Sequence, residues 1–475
     1  MRTSPSYTAS YRLEIDESTL SIAQIVDAVS STGAQIKGLD VADSDRGHIV
    51  IDLTCDMRDS DHRREVRQVL DGLEGVHTSS VADQTFMAHV GGKIEVHPKV
   101  PLRNRDDLSR AYTPGVARVC TAIHDMPEKA HLLTMKANSV AVVSDGTAVL
   151  GLGDIGPEAA LPVMEGKAVL FKQFGDVDAW PVVLDTKDTE EIISIVKAIA
   201  PAYGGINLED ISAPRCFEIE ERLRAELDIP VFHDDQHGTA IVVLAALINA
   251  LKLVNKKIED VRIVVSGVGA AGSAIIKLLL AQGARDIVGY GRTGALAGDD
   301  IEGMHPSRAW LAQNTNPRMV HGSLKDGIAD ADVFIGVSHG NILEPSDIAK
   351  MAPGAIVFAL ANPTPEVDPI AAAEYAAIVA TGRSDYPNQI NNVLAFPGLF
   401  RGLLDAKVKE ITTEVLRVAA VAIASVISED ELSPSYIIPG AFDKRVAPAV
   451  SKAVRRAVRD LPTVDIPVQP DMDVN

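Results

Sequence analysis

Residues Val261 to Gly283 constrain the chain more than any other stretch. They read Val-Arg-Ile-Val-Val-Ser-Gly-Val-Gly-Ala-Ala-Gly-Ser-Ala-Ile-Ile-Lys-Leu-Leu-Leu-Ala-Gln-Gly: an apolar strand, a glycine turn and an apolar helix without a break. The turn has the form Gly267-x-Gly269-x-x-Gly272, whose glycines permit a tight bend and let a pyrophosphate approach the backbone at a helix N-terminus. Three glycines alone would say little. Placed between a strand and a helix they predict a dinucleotide-binding unit, with Gly267, Val268, Gly269, Ala270, Ala271 and Gly272 against the cofactor. Apolar runs at Val333 to Val337, Ile356 to Leu360 and Ile378 to Ala380 extend the same sheet, so a doubly wound α/β fold is expected.

One detail departs from the pattern of an NAD site. The second strand, Ile287-Val-Gly-Tyr290, should end in a carboxylate for the ribose hydroxyls. Instead Gly291, Arg292 and Thr293 follow it, and Asp286 lies at the wrong end. A missing acid beside an arginine suits a 2′-phosphate, so NADP stands beside NAD as the expected cofactor. Arg292 would contact that phosphate, stack on adenine or face solvent.

Ile229 to Phe232 reads as a short strand and Thr239 to Leu251 as an apolar helix, which leaves His233-Asp-Asp-Gln-His-Gly238 as a polar turn at a strand end. His233 and His237 have the spacing of a helical zinc pair. They lack the glutamate that follows the first histidine, and Gly238 interrupts the pattern. Asp234 and Asp235 offer hard oxygen ligands suited to Mg²⁺ or Mn²⁺, or else cap the helix. Gly205 to Ile211 is another strand-like run ending in acids, so Glu209 and Asp210 can meet Asp235 at neighbouring strand ends. The alternative is a cap cluster before the helix from Pro214 to Leu227.

Four further positions invite two readings each. Tyr112 precedes Thr113-Pro-Gly115, a turn signal that exposes its hydroxyl, unless the ring is buried with the hydroxyl satisfied. Lys167, in Glu165-Gly-Lys-Ala-Val-Leu-Phe-Lys172, is either a snorkelling surface residue or one beside an apolar pocket, where desolvation would lower its pKa. Asn362 and Asn392 lie in loops after apolar segments; they serve as turn residues or as amides that orient a carboxylate or nicotinamide.

With 45 basic and 65 acidic residues the net charge is −20, which argues against a nucleic-acid or anionic-membrane partner. Cys55, Cys120 and Cys216 have no Cys-x-x-Cys spacing, so a reducing cytoplasm is the expected location. The start lacks the apolar core of a signal peptide, and Thr239 to Val254, broken by Asn249 and Lys252, reads as too short to span a bilayer. Tyr7 to Asp83 follows the order βαββαβ, a ferredoxin-like layout. It resembles the ACT domain, which implies a small-molecule effector; a packing or dimerisation module without a ligand is the alternative. Asp16 to Leu20, where ACT domains often place a ligand loop, lacks the usual glycine.

From Gly91 onward the motifs combine. Ala111-Tyr-Thr-Pro-Gly-Val116, Glu165-Gly-Lys-Ala-Val-Leu-Phe-Lys172, Asn207-Leu-Glu-Asp210, Phe232-His-Asp-Asp-Gln-His-Gly-Thr-Ala240, the glycine triplet, Ala361-Asn-Pro-Thr-Pro-Glu366 and Asn391-Asn-Val393 together resemble malic enzyme in its shorter bacterial form. The resemblance implies four parts. Residues 1–88 would be an ACT-like regulatory or dimerisation domain, 89–236 an α/β malic enzyme N-terminal domain, 237–460 a Rossmann-type NAD(P)-binding domain with C-terminal helices, and 461–475 a tail. It implies oxidative decarboxylation of L-malate to pyruvate and CO₂ with NAD or NADP and Mg²⁺ or Mn²⁺. Tyr112 would be the general acid and Lys167 the general base. Glu209, Asp210 and Asp235 would hold the metal, and Asn362 and Asn392 would contact substrate or cofactor. A homodimer or larger assembly is also implied. The alternatives are a malolactic conversion, in which lactate leaves, and a catalytically silent regulator responsive to amino acids.

Overall fold

Alternation of apolar residues builds the N-terminal sheet in the computed structural model, which describes residues 3–45, 47–149, 151–299, 301–459 and 461. The chain divides into two compact units, Met1–Val96 and His97–Asn475. In the first, β1 (Ser4–Asp16) buries Ala9, Tyr11, Leu13 and Ile15, every second residue, as a half-buried strand should. The chain continues through α1 (Ile22–Ser31), β2 (Gln35–Asp45), β3 (His48–Met57), α2 (Ser60–Asp71) and β4 (Val76–Asp83). Strand order is β2-β3-β1-β4 with every pairing antiparallel, which is the ferredoxin-like arrangement expected of the βαββαβ order. Helix α1 starts in a capping box between Ser21 and Gln24; α2 buries His62, Val66 and Leu70 at four-residue spacing.

The second unit opens with the short helices α3 (Arg105–Ala111) and α4 (Val116–Asp125) and then lays down two parallel sheets. The first contains β5 (Ser139–Ser144), β6 (Asp178–Val183), β7 (Gly205–Leu208) and β8 (Val231–His233) in the order β6-β5-β7-β8. All of β5 is buried, with Val140 and Val142 packed into one core and Ala141 and Val143 into another. Helices α5 (Pro157–Gly175), α6 (Thr189–Ile199) and α7 (Arg215–Glu226) supply the covering faces.

Helix α8 (Thr239–Leu253) joins the two sheets. It is buried nearly all round from Ala240 to Leu251, and the Asn249 amide inside it donates to the carbonyls of Ala424 (3.0 Å) and Ile437 (2.9 Å). Counted together with the turn before it, Asp234–Leu253 is long and apolar enough to cross a membrane, contrary to the length expected from sequence. Its burial within the protein makes it a core helix.

The second sheet is made of β9 (Arg262–Ser266), β10 (Asp286–Gly291), β11 (Gly294–Ala295), β12 (Val333–Gly336), β13 (Ile356–Ala359) and β14 (Ile378–Thr381), in the order β11-β10-β9-β12-β13-β14. It is parallel except for the β10–β11 hairpin. Sequence reversal occurs at β9, so the glycine turn that follows it, leading into α9 (Ala270–Ala281), stands at the topological switch point where α/β sheets bind ligands. Helix α10 (Pro306–Asn314) lies beyond the hairpin; α11 (Phe396–Ala406), α12 (Thr413–Ala424) and α13 (Val446–Ala457) close the core. Apart from Leu461, the expected tail of residues 461–475 lies outside the described residues.

Candidate active site

Strands β7 and β8 are neighbours, and each ends in acids. Glu209 and Asp210 follow β7; Asp234 and Asp235 follow β8 in a π-helical turn, Asp234–Gly238, that runs straight into α8. Such turns recur at functional sites because the extra residue re-aims side chains. The turn sends the two aspartates to different neighbours. Asp234 is fully buried, takes a hydrogen bond from Lys167 Nζ at 2.5 Å and another from the Asn392 amide. Asp235 accepts the backbone N–H of Asp210 at 2.9 Å, and Asp210 adopts a left-handed φ of 53° to present it.

Lys167 lies on α5 and is only 7% exposed, so the surface reading of this residue is overturned. The sequence hides this because the burial comes from β7, β8 and α11, none of them near in the chain. Its ammonium also meets Glu209 Oε1 at 2.8 Å and lies 4.4 Å from the ring centroid of Phe396. Burial by itself would lower its pKa, but the charges and hydrogen bonds of Asp234 and Glu209 outweigh burial and hold it above the usual lysine range. The carboxylates outnumber this one cation. Burial first, and then their mutual repulsion, raise Glu209 and Asp234 and push Asp210 up to about 8.

Glu209, Asp210 and Asp235 each offer an oxygen within 4.8 Å of the others. Asp210 Oδ2 is buried with no hydrogen-bond donor, while the Asn207 amide fixes the far oxygen of Glu209 at 2.8 Å. An acceptor-only oxygen set of this kind fits a hard divalent cation. The zinc reading is not supported: His237 bonds Glu220 Oε2 at 3.0 Å, and among the described residues the metal-capable group holds carboxylates alone. Nor do the acids serve as caps, for α7 has Pro214 at its N-cap with no side-chain bond, and α8 has none either.

The glycine turn fits a dinucleotide. Gly267 has φ of 99°, and a Cβ on Gly272 would fall 1.7 Å from the Gly267 carbonyl oxygen. Above Gly269 the space is open, and α9 begins there with no side-chain cap, leaving its first N–H groups for an anion. Helix α9 also packs against the Asp234–Gly238 turn, which sets the cofactor end of the molecule beside the acids.

Other expected residues divide. Asn392 joins the cluster through Asp234, as described. Asn362 lies in a separate loop after β13, its amide 3.5 Å from the Leu360 carbonyl and its carbonyl close to Gly151. Arg292 is exposed on the β10–β11 hairpin. Tyr112, at the C-terminal end of α3, is 68% exposed, and among the described residues its hydroxyl has no hydrogen-bond partner. Glu220 and Phe396 were not singled out from sequence, and Asn207 entered only as the first residue of the Asn207–Asp210 motif, with no role of its own. Glu220 sits among Glu218, Glu221 and Arg222, so locally it reads as one more charge on a solvated helix face.

Comparison with known proteins agrees with this geometry. Residues 91–224 match the malic enzyme N-terminal domain family, and residues 236–459 match the malic enzyme NAD binding domain family. The chain is 58% identical over 446 residues to an NAD-dependent malic enzyme of Geobacillus stearothermophilus, covering 94% of this chain and 93% of that one. The chain belongs to the malic enzyme family. A bifunctional malic/malolactic enzyme of Bacillus subtilis is 56% identical over 80% of this chain and 93% of its own length. The solved structure of an NAD-dependent malic enzyme from Thermotoga maritima shares 52% identity with a TM-score of 0.76, covering 79% of this malic enzyme and 99% of that chain. The Geobacillus match reaches into the N-terminal unit, ahead of both family domains.

Proposed function

We propose that this malic enzyme converts L-malate to pyruvate and CO₂ with reduction of NAD⁺ or NADP⁺, and that the reaction depends on Mg²⁺ or Mn²⁺. The observation that carries the reading is one buried lysine held between Asp234 and Glu209, beside three carboxylates open to a cation and next to the helix of a dinucleotide turn. Glu209, Asp210 and Asp235 would hold the cation, and Gly267 to Gly272 would hold the cofactor pyrophosphate; when bound, the cation would supply polarisation at the C2 oxygen and the dinucleotide an acceptor for the C2 hydride.

Lys167 takes the C2 hydroxyl proton. The pairing that fixes its ammonium also keeps it protonated, so Nζ accepts the substrate proton only after passing its own to Asp234 or Glu209, whose burial favours their protonated forms. Phe396 and the surrounding core exclude water from Nζ. Asn392, which already donates to Asp234, orients a substrate carboxylate, and Asn362 serves substrate or nicotinamide from the β13 loop. Tyr112 returns a proton to C3 after CO₂ is lost; support for this role is the Ala111–Val116 motif alone. The N-terminal unit is read as an ACT-like regulatory or dimerisation module in a cytoplasmic homo-oligomer.

The malolactic alternative has a relative in its favour, the bifunctional enzyme of Bacillus subtilis. Product analysis separates the two. Pyruvate and reduced cofactor released in equal amounts are expected; lactate without released reduced cofactor would replace this reading with the malolactic one.

A further inference from the structure

The end of β10 carries an arginine that the sequence motif does not reveal. In the dinucleotide fold the residue ending the second strand faces the adenosine ribose, and here it is Gly291, next to the glycine turn: Gly267 N–H donates to the Tyr290 carbonyl at 2.9 Å. A Cβ built on Gly291 would lie 2.3 Å from a terminal guanidinium nitrogen of Arg308 and 3.5 Å from Val268 of the turn. Arg308 comes from the first turn of α10 and reaches back across the hairpin, so its guanidinium fills the place of the missing side chain.

That guanidinium is unspent. Arg308 is half-buried, its Nε is buried without an acceptor, and among the described residues no carboxylate lies within ion-pair distance of it. An arginine so placed normally has an anion or acceptor to bind, because its donors are costly to leave unmet. The strand's own acid, Asp286, is at the opposite end and pairs with Arg318 at 2.8 Å. The position that would carry a carboxylate in an NAD site therefore carries a positive charge, with Arg292 exposed beside it.

We infer that Arg308, seated over Gly291, binds the 2′-phosphate of the adenosine ribose and makes NADP the preferred cofactor. Family membership does not settle this choice, since relatives are named for either cofactor. The inference rests on the dinucleotide reading of the glycine turn, and its test separates the two. Calorimetric titration of the full chain with adenosine 2′,5′-bisphosphate and with 5′-AMP measures the phosphate contribution without turnover. The bisphosphate is expected to bind the wild type about tenfold to a hundredfold more tightly than 5′-AMP. Arg308→Ala should erase that difference and leave 5′-AMP affinity unchanged, with Arg308→Lys intermediate because it keeps the charge but not the fork. Equal affinities in the wild type, or a preference that survives in both variants, would overturn the role of Arg308. Failure of both nucleotides to bind would overturn the dinucleotide reading with it.

Discussion

The ammonium of Lys167 faces Asp234 and Glu209 in a pocket largely closed to water, and the carboxylates there outnumber it. Removing it leaves buried charge uncompensated, which for buried ion pairs costs about 3–5 kcal/mol. Lys167→Ala should therefore melt at lower temperature and lose about 10²- to 10⁴-fold in turnover. Its affinity for Mn²⁺, measured by calorimetry, should be retained, because Glu209, Asp210 and Asp235 remain; loss of metal binding would refute the assignment of Lys167 as base. A second residue test concerns Gly238. A Cβ there would lie 1.9 Å from Asp234 Oδ1, so Gly238→Ala must push Asp234 off Lys167. Activity should collapse while binding of 5′-AMP at the glycine turn persists, and an active Gly238→Ala enzyme would show that the Asp234–Lys167 contact is dispensable. Chemistry was legible at this scale as residue type: acids at two strand ends and a lysine after a glycine. Geometry was not. Asp234 and Asp235 are adjacent identical side chains, and only the turn decides which meets Lys167 and which meets Asp210.

The π-helical turn is itself held from outside. Glu220 on α7 accepts from the His233 N–H at 3.3 Å, the Gln236 amide at 3.1 Å and the His237 ring at 3.0 Å. Burial would raise its pKa, but the imidazoles of His237 and His233 outweigh that and hold it below the usual range, so the acceptor is ionised. Glu220→Ala would strand these donors at about 1–3 kcal/mol each. The turn should loosen, with Mn²⁺ bound more weakly and 5′-AMP affinity unaltered; unchanged Mn²⁺ binding would make Glu220 irrelevant to the site. Apolar periodicity placed β8 and α8 from sequence to within a few residues. It could not show that helical winding starts at Asp234, because Gly238 reads locally as a break. What overrides that reading is Glu220, a tertiary acceptor from another helix.

In the whole molecule, the N-terminal sheet keeps its own core, from Ala9 and Tyr11 through Ile51 and Leu53 to Val66 and Leu70. All these residues lie within Met1–Val96. A fragment of residues 1–96 should therefore melt cooperatively by circular dichroism; a fragment without a transition would mean that this core depends on the rest of the chain. Element order in both units was legible because strand alternation and helical apolar runs are local. The joining of Lys167, Asp234 and Asn392, which are far apart in the chain, was not, since no local pattern records which loops the two sheets bring together. Formation of reduced nicotinamide from L-malate and Mn²⁺, followed for the wild type and Asp235→Asn, tests the central claim most directly. Asparagine can still accept the Asp210 N–H, so the substitution removes charge and leaves the turn in place. A malate-dependent signal abolished by chelator, and in Asp235→Asn recovered only at much higher Mn²⁺, is the expected result. A signal indifferent to chelator and to Asp235→Asn, or none with either cofactor, would contradict it.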